Sequence, residues 1–340
     1  MDNKWLERKV IVSLQIKPKT AWQLLEDLDC SAKQLAEAII HLLKKELIRE
    51  KKGILSSSIQ PKWDPIVFKH FSCKPKQFFD SNNALFKRFR IFGKGFIPQE
   101  LHLNQQRVND IDLFNKLSVM TLKKDIADAS IAVLGDDDLF SLALALTGLP
   151  KKITVFEIDK KILEYIGKIA QREGFEIDLV QHDISKPLPQ KYVEKFDGFV
   201  TEQPEARIGL YSFLRFGTKA LKPNGWGYFS LTCVENSWSK WRQLQADLSQ
   251  NGFAITSLIE QFSTYLDDDL EEDYDNLRFV RALPFKPANE QQRVYTAALV
   301  RIQSTGNHTP LRVPKPRKGE SFFVDEETVV EEAIPFNASK

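Results

Sequence analysis

Acidic residues follow short apolar runs at regular spacing along the chain, and together they could do chemistry. The apolar run Ile131–Leu134 is followed by Gly135 and three aspartates, and three later apolar runs are each closed or followed by an acid. In chain order the acids are Asp136, Asp137, Asp138, Glu157, Asp183 and Glu202. Because ligands of open α/β sheets bind beyond the carboxyl ends of the strands, these side chains are predicted to line one crevice.

The loop after the first run favours a cationic nucleoside over a dinucleotide. The GxGxxG pattern, which lets a pyrophosphate approach a helix N-terminus, is absent after Leu134. Three aspartates would repel phosphate and attract a cation such as a sulfonium or an amine. Glu157 is expected to accept hydrogen bonds from two ribose hydroxyls, and Asp183 to meet the exocyclic amine of adenine. One such acid alone would be read as a solvated loop residue, but three sites at this spacing favour a nucleoside pocket.

Helical patterns separate the apolar runs. Residues 139–146 and 160–172 have helical spacing and lie between runs that read as buried parallel strands. This β-α-β-α-β order predicts an α/β fold, with a Rossmann-like, methyltransferase-type doubly wound sheet.

Residues 4–58 have a different pattern, with three short helices and a hairpin in about 55 residues. Thr20 and Ser31 are predicted to cap the second and third helices, and Gly53 to form the turn of the hairpin. The pattern is typical of a winged-helix domain. Its third helix has mixed charge, so an accessory or dimerising role is favoured over DNA binding.

The chain is predicted to have a winged-helix domain (1–60), a connecting segment (61–125), a Rossmann-like catalytic domain (126–305) and a C-terminal tail (306–340). A length of 340 residues fits more than one domain, since single cores stop growing near about 250–300 residues. Prolines and acidic residues after Gly306 predict a mobile or loosely docked tail.

Composition excludes several classes of protein. The net charge is +2, and the three cysteines are too far apart for a zinc knuckle or a disulfide framework. No run reaches the roughly 18 apolar residues of a membrane span, and no signal core is present at the N-terminus. We therefore expect a cytoplasmic protein without a metal site or a membrane partner.

Four segments together resemble a known family. They are GDDDL after the first apolar run, then FEID, HDISKPLP and TEQPE, and the likeness extends over nearly the whole chain. The family is that of the branched-chain polyamine synthases, the N4-bis(aminopropyl)spermidine synthases. The resemblance implies transfer of an aminopropyl group from decarboxylated S-adenosylmethionine to spermidine, at its secondary amine, with release of methylthioadenosine. Decarboxylated S-adenosylmethionine is then a co-substrate, and no other cofactor is implied.

The resemblance also implies residue roles. Glu202 would be the catalytic base, with Asp136 and Asp137 orienting donor and acceptor. The nucleoside-binding residues would be Gly135, Asp138, Glu157, Asp159 and Asp183. The amine-binding residues would be Asn104, Gln105 and Glu205. Two positions depart from the family pattern, since Glu202 and Asn104 each stand where the family has an aspartate, and these changes favour a different acceptor amine or a weaker activity.

Several readings stay open at this point. The acidic run from Tyr265 to Asp275 fits either a solvated loop or a lid that attracts a polycation. An S-adenosylmethionine-dependent small-molecule N-methyltransferase would share the fold and Glu157, and a regulator that senses a nucleoside would keep the winged helix. Transfer of an aminobutyrate group is less favoured, because its donor keeps a carboxylate. Among partners we expect a polyamine substrate and a homodimer, and no nucleic acid.

Overall fold

The computed structural model describes residues 4–28, 30–61, 84–94, 96, 107–265, 278–288 and 296–328. Asn104, Gln105 and most of the acidic run after Tyr265 lie outside the described residues. Within the described residues, no helix is both long and apolar enough to cross a membrane.

Residues 4–57 form a small unit of helices and strands, which we call the N-terminal module. Its elements are α1 (Lys4–Ile16), β1 (Lys19–Thr20), α2 (Ala21–Asp27), α3 (Ala32–Lys44), β2 (Ile48–Lys51) and β3 (Ile54–Ser57). The strands form an antiparallel sheet in the order β1-β3-β2. Thr20 and Ser31 each cap the following helix with a reciprocal capping box, which confirms both predicted caps.

The N-terminal module shares its apolar core with a distant part of the chain. Helix α10 (Arg278–Ala282) contributes Phe279 and Val280 to the core around Leu35. The rings of Trp22 and Phe279 are 5.2 Å apart, centroid to centroid. The module is therefore packed against the rest of the protein and shares buried apolar surface with it.

The larger part of the chain is built on a seven-stranded sheet. Its strands are β4 (Ser130–Leu134), β5 (Lys152–Glu157), β6 (Ile177–Gln181), β7 (Phe196–Thr201), β8 (Leu221–Leu231), β9 (Phe253–Thr264) and β10 (Thr296–Ser304). The order is β6-β5-β4-β7-β8-β10-β9, with β10 antiparallel to both of its neighbours and the other pairs parallel. The order reverses at β4, so the carboxyl ends of β4, β5 and β7 meet at one crevice, as the sequence predicted.

Helices cover both faces of this sheet. They are α4 (Ala84–Gly93), α5 (Asp110–Leu122), α6 (Phe140–Thr147), α7 (Lys160–Glu173), α8 (Arg207–Ala220) and α9 (Trp238–Gln250). Ile131 and Val133 of β4 face the core that holds α4 to α7, whereas Ala132 and Leu134 face the core that holds α8 and α9. This alternation explains why β4 is apolar at every position, and the predicted doubly wound α/β fold is confirmed.

The C-terminal segment is ordered against the sheet domain as far as residue 328. Arg207 pairs with Glu320, and Lys240 Nζ is 2.9 Å from Asp325 Oδ2. Asp325 is 3% exposed, and its low exposure reflects these contacts. The sequence predicted a mobile or loosely docked tail, whereas residues 306–328 pack against the sheet domain through partly buried charge pairs, although the segment lacks helix or strand pattern.

A buried charge network holds the antiparallel edge of the sheet to the loop before β4. Arg301 donates to both carboxylate oxygens of Asp125, at 2.8 and 2.9 Å, and the Tyr228 hydroxyl donates to the same group at 2.6 Å. All three residues are at most 8% exposed. These partners therefore stabilise the buried charge of Asp125.

Replacing Arg301 with Met should lower the free energy of unfolding by about 3–5 kcal/mol, because it leaves Asp125 buried without its cation. Chemical denaturation measures the change. The control is Lys222→Met, which breaks the half-exposed Lys222–Asp197 pair and should cost about 1 kcal/mol or less. Equal losses in the two variants would contradict this account of the network.

Candidate active site

The loop after β4 is tightly turned. Gly135 has φ of +70°, and its N–H donates to the Phe156 carbonyl on the neighbouring strand at 2.9 Å. The Asp136 N–H donates to Glu157 Oε2 at 2.9 Å. A glycine suits the left-handed conformation at the start of the turn, and the loop is thereby fixed to the end of β5.

The three aspartates of the loop differ in what they contact. Asp136 is buried and accepts from the Ser141 N–H at 3.2 and 3.3 Å, so it caps α6 from inside the loop. Asp138 is also buried and accepts from the Val108 N–H at 2.6 Å. Only Asp137 lines the cavity at this edge of the sheet. Two of the three carboxylates therefore hold the loop and α5 in place.

Glu157 ends β5 and faces the same cavity. Each of its oxygens accepts one backbone hydrogen bond at 2.9 Å, from Asp136 and from Asp159. A further backbone hydrogen bond comes from Ile158. An ionised carboxylate has about four acceptor sites, so acceptor capacity remains for a ligand. Asp159 caps α7 through the Lys161 N–H at 2.8 Å and does not line the cavity.

Asp183 also lines the cavity, from the loop after β6. One of its oxygens accepts from the Ser185 N–H at 2.9 Å. The carboxylate is partly exposed. Gly135, Glu157 and Asp183 thus come together at one pocket, as the sequence predicted.

Glu202 follows the end of β7 and is held by three side chains. Its Oε1 pairs with the Lys116 ammonium and accepts from the Ser230 hydroxyl at 2.9 Å, and its Oε2 accepts from the Tyr265 hydroxyl at 2.8 Å. Glu202 lines the cavity, whereas Lys116 lies behind it with a side chain 3% exposed. One acceptor site on Oε2 is left for a ligand.

Glu205 lies deeper than the predicted amine-binding role requires. It accepts from the Thr232 N–H at 2.5 Å and from the Thr232 hydroxyl, and it does not line the cavity. Burial raises its pKa to about 8, and the charge of Glu235 adds to the rise. The described contacts of Glu205 fix the end of β8 against the loop after β7.

The cavity itself has an empty space of about 820 Å³, including its open mouth. Its apolar wall comes from residues that sequence reasoning missed, namely Phe156, Ile158, Ile184, Phe213, Phe322 and Phe323. The last two belong to the C-terminal segment, whose irregular sequence carries no periodic signal. Lys116 and Ser230 were also missed. Each lies in a helix or a strand, and the residues that it contacts depend on the tertiary fold.

Burial and mutual repulsion make this carboxylate cluster unfavourable without a cation. Burial is the main cause of the raised pKa of Asp136, of Asp137 and of Glu157, and neighbouring acids add to each rise. Burial and the charge of Glu202 raise the pKa of Asp138 to about 7, although Lys116 opposes this rise. A cationic ligand would relieve this repulsion, whereas a phosphate would increase it. Within the described residues, no set of three or more His, Cys, Asp or Glu side chains is arranged to hold a metal ion.

The strand order and the acid-lined crevice define a class, the Rossmann-like α/β proteins with a ligand pocket at the carboxyl edge of the sheet. Within that class, the model of the branched-chain polyamine synthase A C-terminal domain matches residues 85–330. The chain belongs to this family, which confirms the resemblance seen in GDDDL, FEID and TEQPE.

Two relatives illustrate the match. An N(4)-bis(aminopropyl)spermidine synthase of Thermus thermophilus is 37% identical over 182 residues, 53% of this chain and 51% of the relative. A protein of the same name from Thermococcus kodakarensis is 34% identical over 239 residues, 69% of this chain and 64% of the relative. The matched segments therefore span between half and two thirds of these relatives.

A solved structure resembles the fold over almost its whole length. The branched-chain polyamine synthase of Thermus thermophilus, in complex with N4-aminopropylspermidine and 5'-methylthioadenosine, superposes with a TM-score of 0.79 at 25% identity. The superposition covers 96% of this chain and 93% of that chain.

Stability should fall as pH rises towards 8, in part because of Glu205. Its pKa is about 8 in the folded protein and about 4.3 in an unfolded chain. Between these values the folded state holds a proton that the unfolded state has released, so the stabilisation present at low pH is lost as pH rises through the folded pKa. Glu205→Gln should therefore reduce the decline in the free energy of unfolding between about pH 5 and about pH 8. Denaturant titrations at several pH values measure it.

The control is Glu164→Gln on α7, where the glutamate is 55% exposed, and it should follow the wild-type pH dependence. If Glu205→Gln shows the full wild-type decline, Glu205 does not hold a proton in the folded state.

Proposed function

We propose that the protein is an aminopropyltransferase that moves the aminopropyl group of decarboxylated S-adenosylmethionine to spermidine and releases methylthioadenosine. The observation that carries the proposal is the charge of the pocket. Among the described residues that line it, four are carboxylic acids and none is Lys or Arg. Donor and acceptor in this reaction are both cations, so they are the ligands that such a lining attracts.

The donor is held through its nucleoside. Glu157 uses its remaining acceptor capacity for the ribose hydroxyls, and Asp183 accepts from the adenine amine. Phe213, Phe322 and Phe323 supply apolar surface around the base. Asp136, Asp138 and Asp159 act by shaping the loop and the helix starts, since their described contacts are to backbone N–H groups.

The chemical step is a displacement at the carbon attached to the sulfonium. The acceptor nitrogen forms the new C–N bond, the C–S bond breaks, and its electron pair returns to sulfur as the neutral thioether methylthioadenosine. The nitrogen attacks as a neutral amine, and the N–H proton that it still carries passes to Glu202, a residue that lines the pocket, as the C–N bond forms. Asp137 lies on the same wall and orients the remaining ammonium groups.

The acceptor is proposed from the family. The relatives are named for N4-bis(aminopropyl)spermidine, and the similar structure contains N4-aminopropylspermidine. We infer that this chain also adds to the secondary amine of spermidine. The roles of Asn104 and Gln105 in amine binding stay a prediction, because both lie outside the described residues.

An S-adenosylmethionine-dependent N-methyltransferase is less well supported. Its donor keeps a carboxylate, which would lie among Asp137, Glu157 and Glu202. Like charges at this spacing in a partly buried pocket oppose binding. The decarboxylated donor lacks the carboxylate and keeps the ammonium that both donors share.

The N-terminal module is proposed to be a winged-helix domain with an accessory role. Its third helix, α3, packs against α10, so part of that helix is already occupied by the protein's own chain. The sheet core also includes α4 and α5, which supports a catalytic domain beginning near residue 84, earlier than the predicted residue 126. A homodimer and a cytoplasmic location stay predictions from the sequence.

Calorimetric titration tests the proposed donor. The protein should bind decarboxylated S-adenosylmethionine roughly tenfold or more tightly than S-adenosylmethionine, because of the like-charge penalty on the carboxylate. With the decarboxylated donor and spermidine present, mass spectrometry should detect an aminopropylated product and methylthioadenosine. Tight binding of S-adenosylmethionine with none of the decarboxylated form would reject the proposal.

Two glutamates of the pocket should give opposite kinetic signatures. Glu202→Gln should lower kcat by about 10²–10⁴-fold, since the base is lost, while the Kd for methylthioadenosine changes little. Glu157→Gln should weaken methylthioadenosine binding by about tenfold or more, because charged acceptors of the ribose hydroxyls become neutral. Steady-state kinetics and calorimetry on both variants measure the contrast. Unchanged turnover in Glu202→Gln would remove that residue from the role of base.

A further inference from the structure

Lys116 places a positive charge directly behind the proposed base. It projects from α5, is 2% exposed, and pairs with Glu202 Oε1. Its ammonium also lies 5.5 Å from the centre of the Phe140 ring. Nothing in the proposed reaction so far requires a cation at this place.

The contacts of Glu202 show what Lys116 leaves available. Three of the four acceptor sites of the carboxylate are occupied, by Lys116, Ser230 and Tyr265. The remaining site, on Oε2, is the one that an acceptor amine can reach from the pocket. An amine there meets a carboxylate whose charge is already balanced by an internal ammonium.

This balance matters because the acceptor must lose a proton before it attacks. A carboxylate without a counter-ion stabilises a neighbouring ammonium and raises its pKa. Such a site would bind the acceptor tightly in its unreactive, protonated form. A carboxylate that is paired with a fixed cation holds the ammonium less tightly, so the acceptor loses its ammonium proton to solvent more readily and meets Glu202 as the neutral amine.

We propose that Lys116 is a positioning residue that offsets the charge of Glu202, so that the acceptor amine is bound weakly enough as an ammonium to be deprotonated for attack. The inference rests on the proposed aminopropyl transfer and deepens it, because it assigns the electrostatic setting of the acceptor site.

The other charged and titratable groups around this pair are mainly acids. Those on the facing elements are Arg107, Asp137, Asp138, Glu157, Glu205 and Tyr265. Burial and the charge of Glu202 raise the pKa of Tyr265 well above its usual range, so this hydroxyl stays a donor. Lys116 is therefore the cation in direct contact with Glu202 among the described side chains.

A merely structural ion pair is the alternative, and the chain offers a more exposed ion pair on the same strand as a control for loss of charge. Asp197 lies near the start of β7 and pairs with Lys222 at 2.8 Å, while Glu202 lies just after the end of the same strand and pairs with Lys116. Lys222→Gln also removes one positive charge, but it does so beside the start of β7, away from the pocket.

The test compares Lys116→Gln, Lys116→Arg and Lys222→Gln in spermidine kinetics from neutral to alkaline pH. In Lys116→Gln, kcat at neutral pH should fall about tenfold or more and KM for spermidine should also fall, since each unit of amine pKa is a tenfold change. The loss of kcat should disappear as pH rises, with the profile shifted to alkaline pH by about one unit. Lys116→Arg, which restores the charge, and Lys222→Gln should both keep the wild-type profile.

A purely structural role predicts a different result. Lys116→Gln would then lose kcat equally at every pH, with KM unchanged or raised, and that outcome would overturn the inference. If Lys116→Gln is poorly folded, Lys116→Met is used as the second variant, and spermidine should raise the Tm of either variant more than that of the wild type. An equal or smaller rise in Tm would also overturn the inference.

The two proposals can fail separately. If the wild-type protein transfers no aminopropyl group to any amine, the proposed function is rejected. Calorimetric Kd values for spermidine then decide the inference, because Lys116→Gln must still bind spermidine more tightly than the wild type. Equal affinities, or no binding to either protein, would reject it.

Discussion

The hydrogen bond from the Asp136 N–H to Glu157 Oε2 joins the carboxyl ends of the two strands on which the pocket depends. It forms only because Gly135 turns the chain in a left-handed conformation while its own N–H reaches the Phe156 carbonyl. Glu157 then has one backbone donor on each oxygen, which fixes its orientation before any ligand arrives. A carboxylate held in this way loses little freedom when it binds a ligand, and Glu157 lines the pocket.

The same geometry concentrates negative charge, and this charge constrains what the pocket can bind. Asp136, Asp138 and Glu157 each raise the pKa of at least one neighbour in a partly buried crevice. Such a cluster is stable at neutral pH only with protons, an internal cation or a cationic ligand. Lys116 supplies the internal cation on the side of Glu202. No Lys or Arg is among the described lining residues, although the exposed Lys186 ammonium lies 3.9 Å from Asp183 Oδ2.

Sequence patterns predicted the positions of the site because strand ends are readable. Apolar runs identify buried strands, and in a doubly wound sheet their carboxyl ends converge, so Gly135, Glu157, Asp183 and Glu202 could be assigned to one pocket. The direction of each side chain could not be read in this way. Asp136, Asp138 and Asp159 have the composition of ligand-binding acids, yet each accepts from a backbone N–H at the start of a helix or at Val108. Local hydrogen bonds of this kind compete with ligand contacts, and the sequence does not show which of the two an acid after a strand will make.

Contacts between distant segments were equally invisible, and the C-terminal segment shows why they matter. Helix α8 begins directly after the Glu202–Glu205 motif with Ala206 at its N-cap, which has no side chain to accept from the first turn. Asp325 accepts from the Arg207 N–H at 2.8 Å instead, and Glu327 accepts from the Ser237 N–H at the start of α9 at 2.6 Å. The segment therefore completes the two helix starts that follow the last parallel strands of the sheet.

The position of the aromatic wall follows from these caps. Phe322 and Phe323 lie between Glu320, which pairs with Arg207, and Asp325, which caps the same residue's backbone. Two contacts to one residue hold both ends of a short stretch, so its rings are fixed against Phe213 of α8, with 6.2 Å between the centroids of Phe213 and Phe322. The aromatic wall of the cavity and the first turn of α8 therefore depend on the same carboxylates, and loss of either contact would disturb both.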